Sequence, residues 1–147
     1  MCQREFGRAV AQAVGTNCCQ PGTQALGTHS RSIQSNNPRA LAGSVDLDGC
    51  LKNQYPHAPR WDFAVGYGEC RLLVFVEVHG AKVGDILAKK RWLDGFLKGQ
   101  GAALSAWAGR RVFAWVPTQG GFGRHTPQAR QLKRQGIITN RRVWLKC

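Results

Sequence analysis

Three residues in the most hydrophobic part of this chain carry side chains able to do chemistry. Asp62 lies in the run Trp61-Asp62-Phe63-Ala64-Val65-Gly66-Tyr67. Glu77 and His79 lie in the run Leu72-Leu73-Val74-Phe75-Val76-Glu77-Val78-His79. Burying an ionised carboxylate without a partner costs on the order of several kcal/mol, so it binds a metal, pairs with a cation or shifts its pKa. The chain has only 8 acidic residues against 21 Lys and Arg. Carboxylates placed in its most apolar segments point to use of their charge rather than to a solvated surface.

The two runs are rich in β-branched and aromatic residues, and Gly68 marks a turn between them. They predict an antiparallel hairpin over 61–67 and 71–79. Side chains alternate along a strand, so Glu77 and His79 share a face with Leu73 and Phe75. With a two- or four-residue connection, Asp62 falls opposite Glu77 on that face. Trp61, Phe63, Val65 and Tyr67 then join Leu72, Val74, Val76 and Val78 on the other, fully apolar face. Two carboxylates a cross-strand distance apart suit a hard cation such as Mg²⁺ or Mn²⁺. A nearby base or cation could orient an attacking water and offset charge developing on a phosphate.

The flanking pattern must position this hairpin. Residues 6–14 predict a short helix closed by Gly15, and 16–39 a loop-rich segment with an edge strand around 32–34. A strand over 40–47 leads into a turn or brief helix that stops before Pro56. Val83, Ile86, Leu87, Leu93, Phe96 and Leu97 fall on one helical stripe, interrupted by Lys89-Lys90-Arg91. A strand over 111–116, a flexible loop over 119–123, a helix from Thr126-Pro127 to Gly136 and a terminal strand through Ile137-Ile138 and 142–145 follow. The fold class is α/β (α+β): one domain over 1–147, with a mixed central sheet of four to five strands flanked by helices. Residues 1–39 form an N-terminal helix and loop segment, 40–117 the core, and 118–147 a basic helix and strand.

This arrangement resembles the PD-(D/E)xK nuclease superfamily, whose restriction-endonuclease-like fold has an αβββαβ core. Members carry an Asp on one strand of a central hairpin and Glu-x-Lys or Asp-x-Lys on the next. Here Pro59-Arg60-Trp61-Asp62 supplies the Asp, and Glu77-Val78-His79 stands at the acidic-x-Lys position. The resemblance spans about residues 40 to 117. It implies a metal-dependent nuclease acting on phosphodiester bonds, with Asp62 and Glu77 holding Mg²⁺ or Mn²⁺. The departure is His79 in the lysine's place. Either His79 takes over the role, or the lysine has migrated to Lys82 or Lys89. A third reading is an inactive relative serving as a nucleic-acid-binding or protein-interaction module. In a purely structural reading, Asp62 accepts backbone hydrogen bonds at a strand end, Glu77 pairs with Arg60 or Lys89, and His79 is a satisfied core histidine. Asp48 reads as a capping or turn residue, with Asp46 left as a third carboxylate.

A formal net charge of +13 implies attraction to polyanions. No acidic residue follows Asp94, and Arg124, Arg130, Lys133, Arg134, Arg141 and Arg142 are the expected nucleic-acid contacts. The first residues lack the apolar core of a secretory signal, and no apolar run approaches the roughly 20 residues of a membrane span. The expectation is a cytoplasmic protein without a membrane partner, its 6 cysteines reduced. A metal site of Cys18, Cys19 and His29 is a minor alternative. Trp61, Trp107, Trp115 and Trp144 read as core residues. If the basic residues hold phosphates, affinity for nucleic acid falls steeply with salt as counterions are released. Binding that ignores salt in a titration would count against that surface.

Overall fold

The computed structural model describes residues 1–80, 82–118 and 126–147. In chain order the elements are α1 (Arg4–Ala13), β1 (Cys19–Gln20), β2 (Ile33–Ser35), β3 (Leu41–Asp46), α2 (Leu47–Leu51), β4 (Phe63–Tyr67), β5 (Leu72–Val78), α3 (Val83–Lys98), α4 (Ala102–Trp107), β6 (Arg110–Val116), α5 (Pro127–Arg134), β7 (Ile137–Thr139) and β8 (Val143–Leu145). Each start has a local cause. The Gln3 side chain accepts from the Phe6 N–H at the head of α1, and Thr126 accepts from the Ala129 N–H where Pro127 opens α5. Asp46 caps α2 by accepting from the Gly49 N–H at 2.8 Å. The expected flexible loop over 119–123, and with it Arg124, lies outside the described residues.

The hairpin forms in the expected register. Phe63 stands opposite Val76 and Tyr67 opposite Leu72, across a four-residue connection. Gly68 opens that connection at φ 77°, a conformation that glycine takes without steric cost. β3 pairs antiparallel with β4, and β6 runs parallel to β5. Among the described residues, the sheet has six strands in the order β1-β3-β4-β5-β6-β7, and β2 and β8 form a separate parallel ribbon. The terminal strand expected from 137 to 145 is therefore two strands in two sheets. Helix α4 lies outside the expected elements because its six residues are too few to show a periodic stripe.

Both sheet faces are covered, which explains why β4 and β5 read as nearly continuous apolar runs. On one face, Val45, Ala64, Leu73, Phe75 and Trp115 pack with Phe6, Ile86, Leu93, Leu104 and Leu132 from the helices. On the other, Val65, Tyr67, Leu72, Val74, Val76 and Val78 pack with Ile33, Val143 and Leu145 of the ribbon. Gly66 gives α1 its close approach, since a Cβ there would stand 2.7 Å from the Phe6 ring. Trp61 departs from the alternation. It belongs to the helix-side core because it precedes the first residue of β4, where the strand pleat no longer fixes direction. Trp107 and Trp115 are core residues as expected, whereas Trp144 is 59% exposed. Trp144 follows Val143 and precedes Leu145, and those two fill the inward positions of β8.

The cysteines are not thiols. Cys2 is bonded to Cys19, Cys18 to Cys50 and Cys70 to Cys147, leaving none free. These pairings join residues 17, 32 and 77 apart in the chain, and no spacing rule reveals them. They also remove the Cys18/Cys19/His29 metal site. Disulfides persist mainly in oxidising surroundings, so the cysteines argue against the cytoplasmic location expected of them. Among the described residues, no helix is long and apolar enough to cross a membrane. Each cross-link stabilises by roughly 3 to 4.5 kcal/mol in the loop-entropy account. Reduction should therefore lower the melting temperature by more than about 10 °C. The unreduced, denatured protein should titrate no thiol; six free thiols would overturn the pairing.

Candidate functional site

Asp62 and Glu77 meet where the hairpin's backbone ladder ends. The Asp62 N–H donates to Glu77 Oε1 at 3.0 Å, and the Val78 N–H donates to Asp62 Oδ2 at 3.0 Å. Each carboxyl thus takes an N–H from the strand opposite its own, in place of further ladder bonds. The Asp62 carbonyl accepts from the Leu47 and Asp48 N–H groups at the start of α2, which fixes the segment from behind. Asp62 and Glu77 are both buried, Glu77 completely. They share one sheet face, as the alternation requires.

Lys89 completes the cluster from the helix. It follows Ile86 by three residues and precedes Leu93 by four, so it lies on the sheet-facing side of α3. Its Nζ donates to Glu77 Oε2. The neighbouring Lys90 is also buried, fills a gap in the apolar stripe, pairs with Asp94 and sits 4.2 Å from the Phe113 ring centroid. Lys82 is exposed at the head of α3, and no contact ties it to the cluster. Arg60 pairs with Asp48 at 3.0 Å rather than with Glu77.

His79 stands at the mouth, with its side chain 52% exposed. It is not a core histidine. Its Nδ1 lies 3.4 Å from Asp62 Oδ2, 3.6 Å from Glu77 Oε2 and 3.2 Å from the Val78 carbonyl. The backbone is anchored, since the Trp115 Nε1–H donates to the His79 carbonyl at 2.9 Å and the His79 N–H donates to the Val116 carbonyl at 3.2 Å. Sequence reasoning missed this role of Trp115, although the parallel register sets Trp115 beside Glu77. Asp46 is not a third carboxylate here. It pairs across the sheet with Phe63 and caps α2, so it belongs to the opposite face from Asp62.

Donor atoms of Asp62, Glu77 and His79 all lie within 4.8 Å of one another. Ligands on a Mg²⁺-sized cation, with bonds of about 2.1 Å, sit about 3 Å apart in cis and about 4.2 Å apart in trans. The two carboxylates are ligands that such a cation favours. Of the expected nucleic-acid contacts, Arg130, Lys133 and Arg134 are exposed on α5, which packs on the same face as the cluster through Leu132. Arg141 and Arg142 are exposed between β7 and β8.

Burial raises the Glu77 carboxyl to about pKa 8, with the Asp62 charge adding to it and Lys89 opposing it. The folded protein therefore holds a proton that the unfolded chain releases near its ordinary value of 4.5. Unfolding between those values releases that proton, so raising the pH favours the unfolded chain. In the absence of divalent cations, stability should fall as pH rises from about 4.5 to about 8. Glu77→Gln should flatten that slope in denaturant titrations, and an unchanged slope would refute the assignment.

No family model matches the chain, and no curated protein or solved structure is detectably similar to it.

Proposed function

We propose that this protein is a divalent-cation-dependent nuclease whose reaction centre comprises Asp62, Glu77, His79 and Lys89. One observation carries the reading: two carboxylates, an ammonium and an imidazole converge at one end of a hydrophobic hairpin. The order of helix, three antiparallel strands, helix and parallel strand through α1, β3, β4, β5, α3 and β6 agrees with the αβββαβ core of the PD-(D/E)xK nucleases. A bound Mg²⁺ or Mn²⁺, held by Asp62 and Glu77, would polarise the phosphodiester and acidify a bound water.

The remaining roles follow from the side chains. Lys89 sits against the acidic residue from the next helix, where the family's lysine sits two residues further along the strand. From there its ammonium offsets charge developing on a phosphate oxygen. His79 Nδ1 faces three oxygens, so in the neutral ring it is the donor and Nε2 is left to take a proton from water. Cations on α5 lie on the same side of the sheet and suit the flanking phosphates.

A second reading, an inactive nucleic-acid-binding or protein-interaction module, is favoured by one feature. Both Glu77 oxygens already have partners, in Asp62 and Lys89. Incubation with plasmid and with single-stranded DNA and RNA separates the two. Cleavage should need Mg²⁺ or Mn²⁺, stop with EDTA and vanish in Glu77→Ala. Lys89→Ala should cost about 10²- to 10⁴-fold in rate with binding intact. If Lys89→Ala is fully active and His79→Ala is dead, the histidine carries the lysine's role. Wild type inert under every metal leaves the binding module.

A further inference from the structure

On the far side of the sheet from Glu77, a cleft of about 220 Å³ opens among the first residues of β5 and β6 and the strand β8. Its walls include Val74 and Val112, which pair with each other on the face opposite Phe75 and Glu77. Arg110, Arg142 and Lys146 line it and are exposed, as is Trp144. No carboxylate is among the described residues that line it. An indole this exposed on so short a strand contributes little to the core, because Val143 and Leu145 already fill the inward positions.

We propose that this cleft binds single-stranded nucleic acid, with a base stacked on Trp144 and neighbouring phosphates held by Arg110, Arg142 and Lys146. It deepens the nuclease reading by naming the substrate class, and rests on that reading only for the identity of the polyanion. Aromatic faces take any base, and guanidinium groups take phosphate oxygens in paired hydrogen bonds. A duplex keeps its base faces stacked, so it can use the cations but not the indole. Charge also selects against a second copy of this chain as occupant. A two-fold contact at the cleft would bring Arg110, Arg142 and Lys146 against their own copies, which is repulsive. The cleft and the reaction centre lie on opposite faces, so the strand is gripped away from the bond that reacts.

The test uses the Glu77→Gln protein, so that nothing is consumed, with labelled oligo(dT), oligo(rU) and a duplex of equal length. Trp144→Ala should weaken single-strand binding about tenfold or more and duplex binding little, and Trp144→Phe should keep most of the affinity. Binding should also quench indole fluorescence in the Trp144 protein and quench it less in Trp144→Phe. Arg110→Glu with Arg142→Glu should weaken single strands and duplex alike and flatten the salt dependence. The melting temperature of Trp144→Ala should be unchanged, since the side chain is exposed. Equal losses for single strand and duplex in Trp144→Ala, or no loss at all, would overturn the proposal. A wild-type dimer dissolved by Trp144→Ala would make the patch a homotypic interface and also overturn it. If the Trp144 effects hold and the wild type never cleaves, the nuclease reading falls and the cleft stands.

Discussion

The constraint on which the rest depends is a carboxyl with no exposed surface in the middle of the sheet. Glu77 lies on β5, whose neighbours on both faces are apolar. Its two oxygens are met by the Asp62 N–H from β4 and the Lys89 ammonium from α3. Asp62 is in turn held by Val78 and by the start of α2. One buried group thus links β4, β5, α2 and α3 into a single register. A slip of β4 by one residue would remove the N–H from Glu77 and turn Asp62 to the opposite core, leaving a buried polar group unpaired on each side.

What was legible in the chain follows from the range of the forces involved. The pairing of Asp62 with Glu77 could be read because strand alternation is strict and the apolar residues of both runs are in phase. Lys89 could be named as a substitute lysine because it follows the hairpin on a helix. That it, and not Lys82, reaches Glu77 depends on how α3 crosses the sheet, which a helical period does not contain. Trp61 failed at a strand end, where alternation stops. Asp46, and not Asp48, caps α2, because the capping residue is set by where β3 ends, and element ends are the least determined feature of a pattern. The disulfides were illegible because each pairing is a tertiary contact, so the reading of the cysteines as reduced thiols failed.

Reading the basic residues as one C-terminal surface also needs division. A sheet covered on both faces separates what the chain places close together. Arg130, Lys133 and Arg134 follow α5 to the side of Glu77, while Arg142 and Lys146 go with β8 to the other. Residues within a dozen positions of one another therefore end on opposite sides of the sheet. Net charge belongs to the chain as a whole, but the sheet decides on which side each cation ends.

The bond from Cys70 to Cys147 has a consequence for how the molecule behaves under proteases. It ties the turn between β4 and β5 to Cys147, just past β8, so β5, α3, α4, β6, α5, β7 and β8 all lie within one closed loop. A single cut anywhere inside that loop opens the ring without releasing a piece. The nicked protein keeps its mass until a reductant separates the fragments. After one such cut, reduction is what would free the fragment that carries the ribbon strand β8.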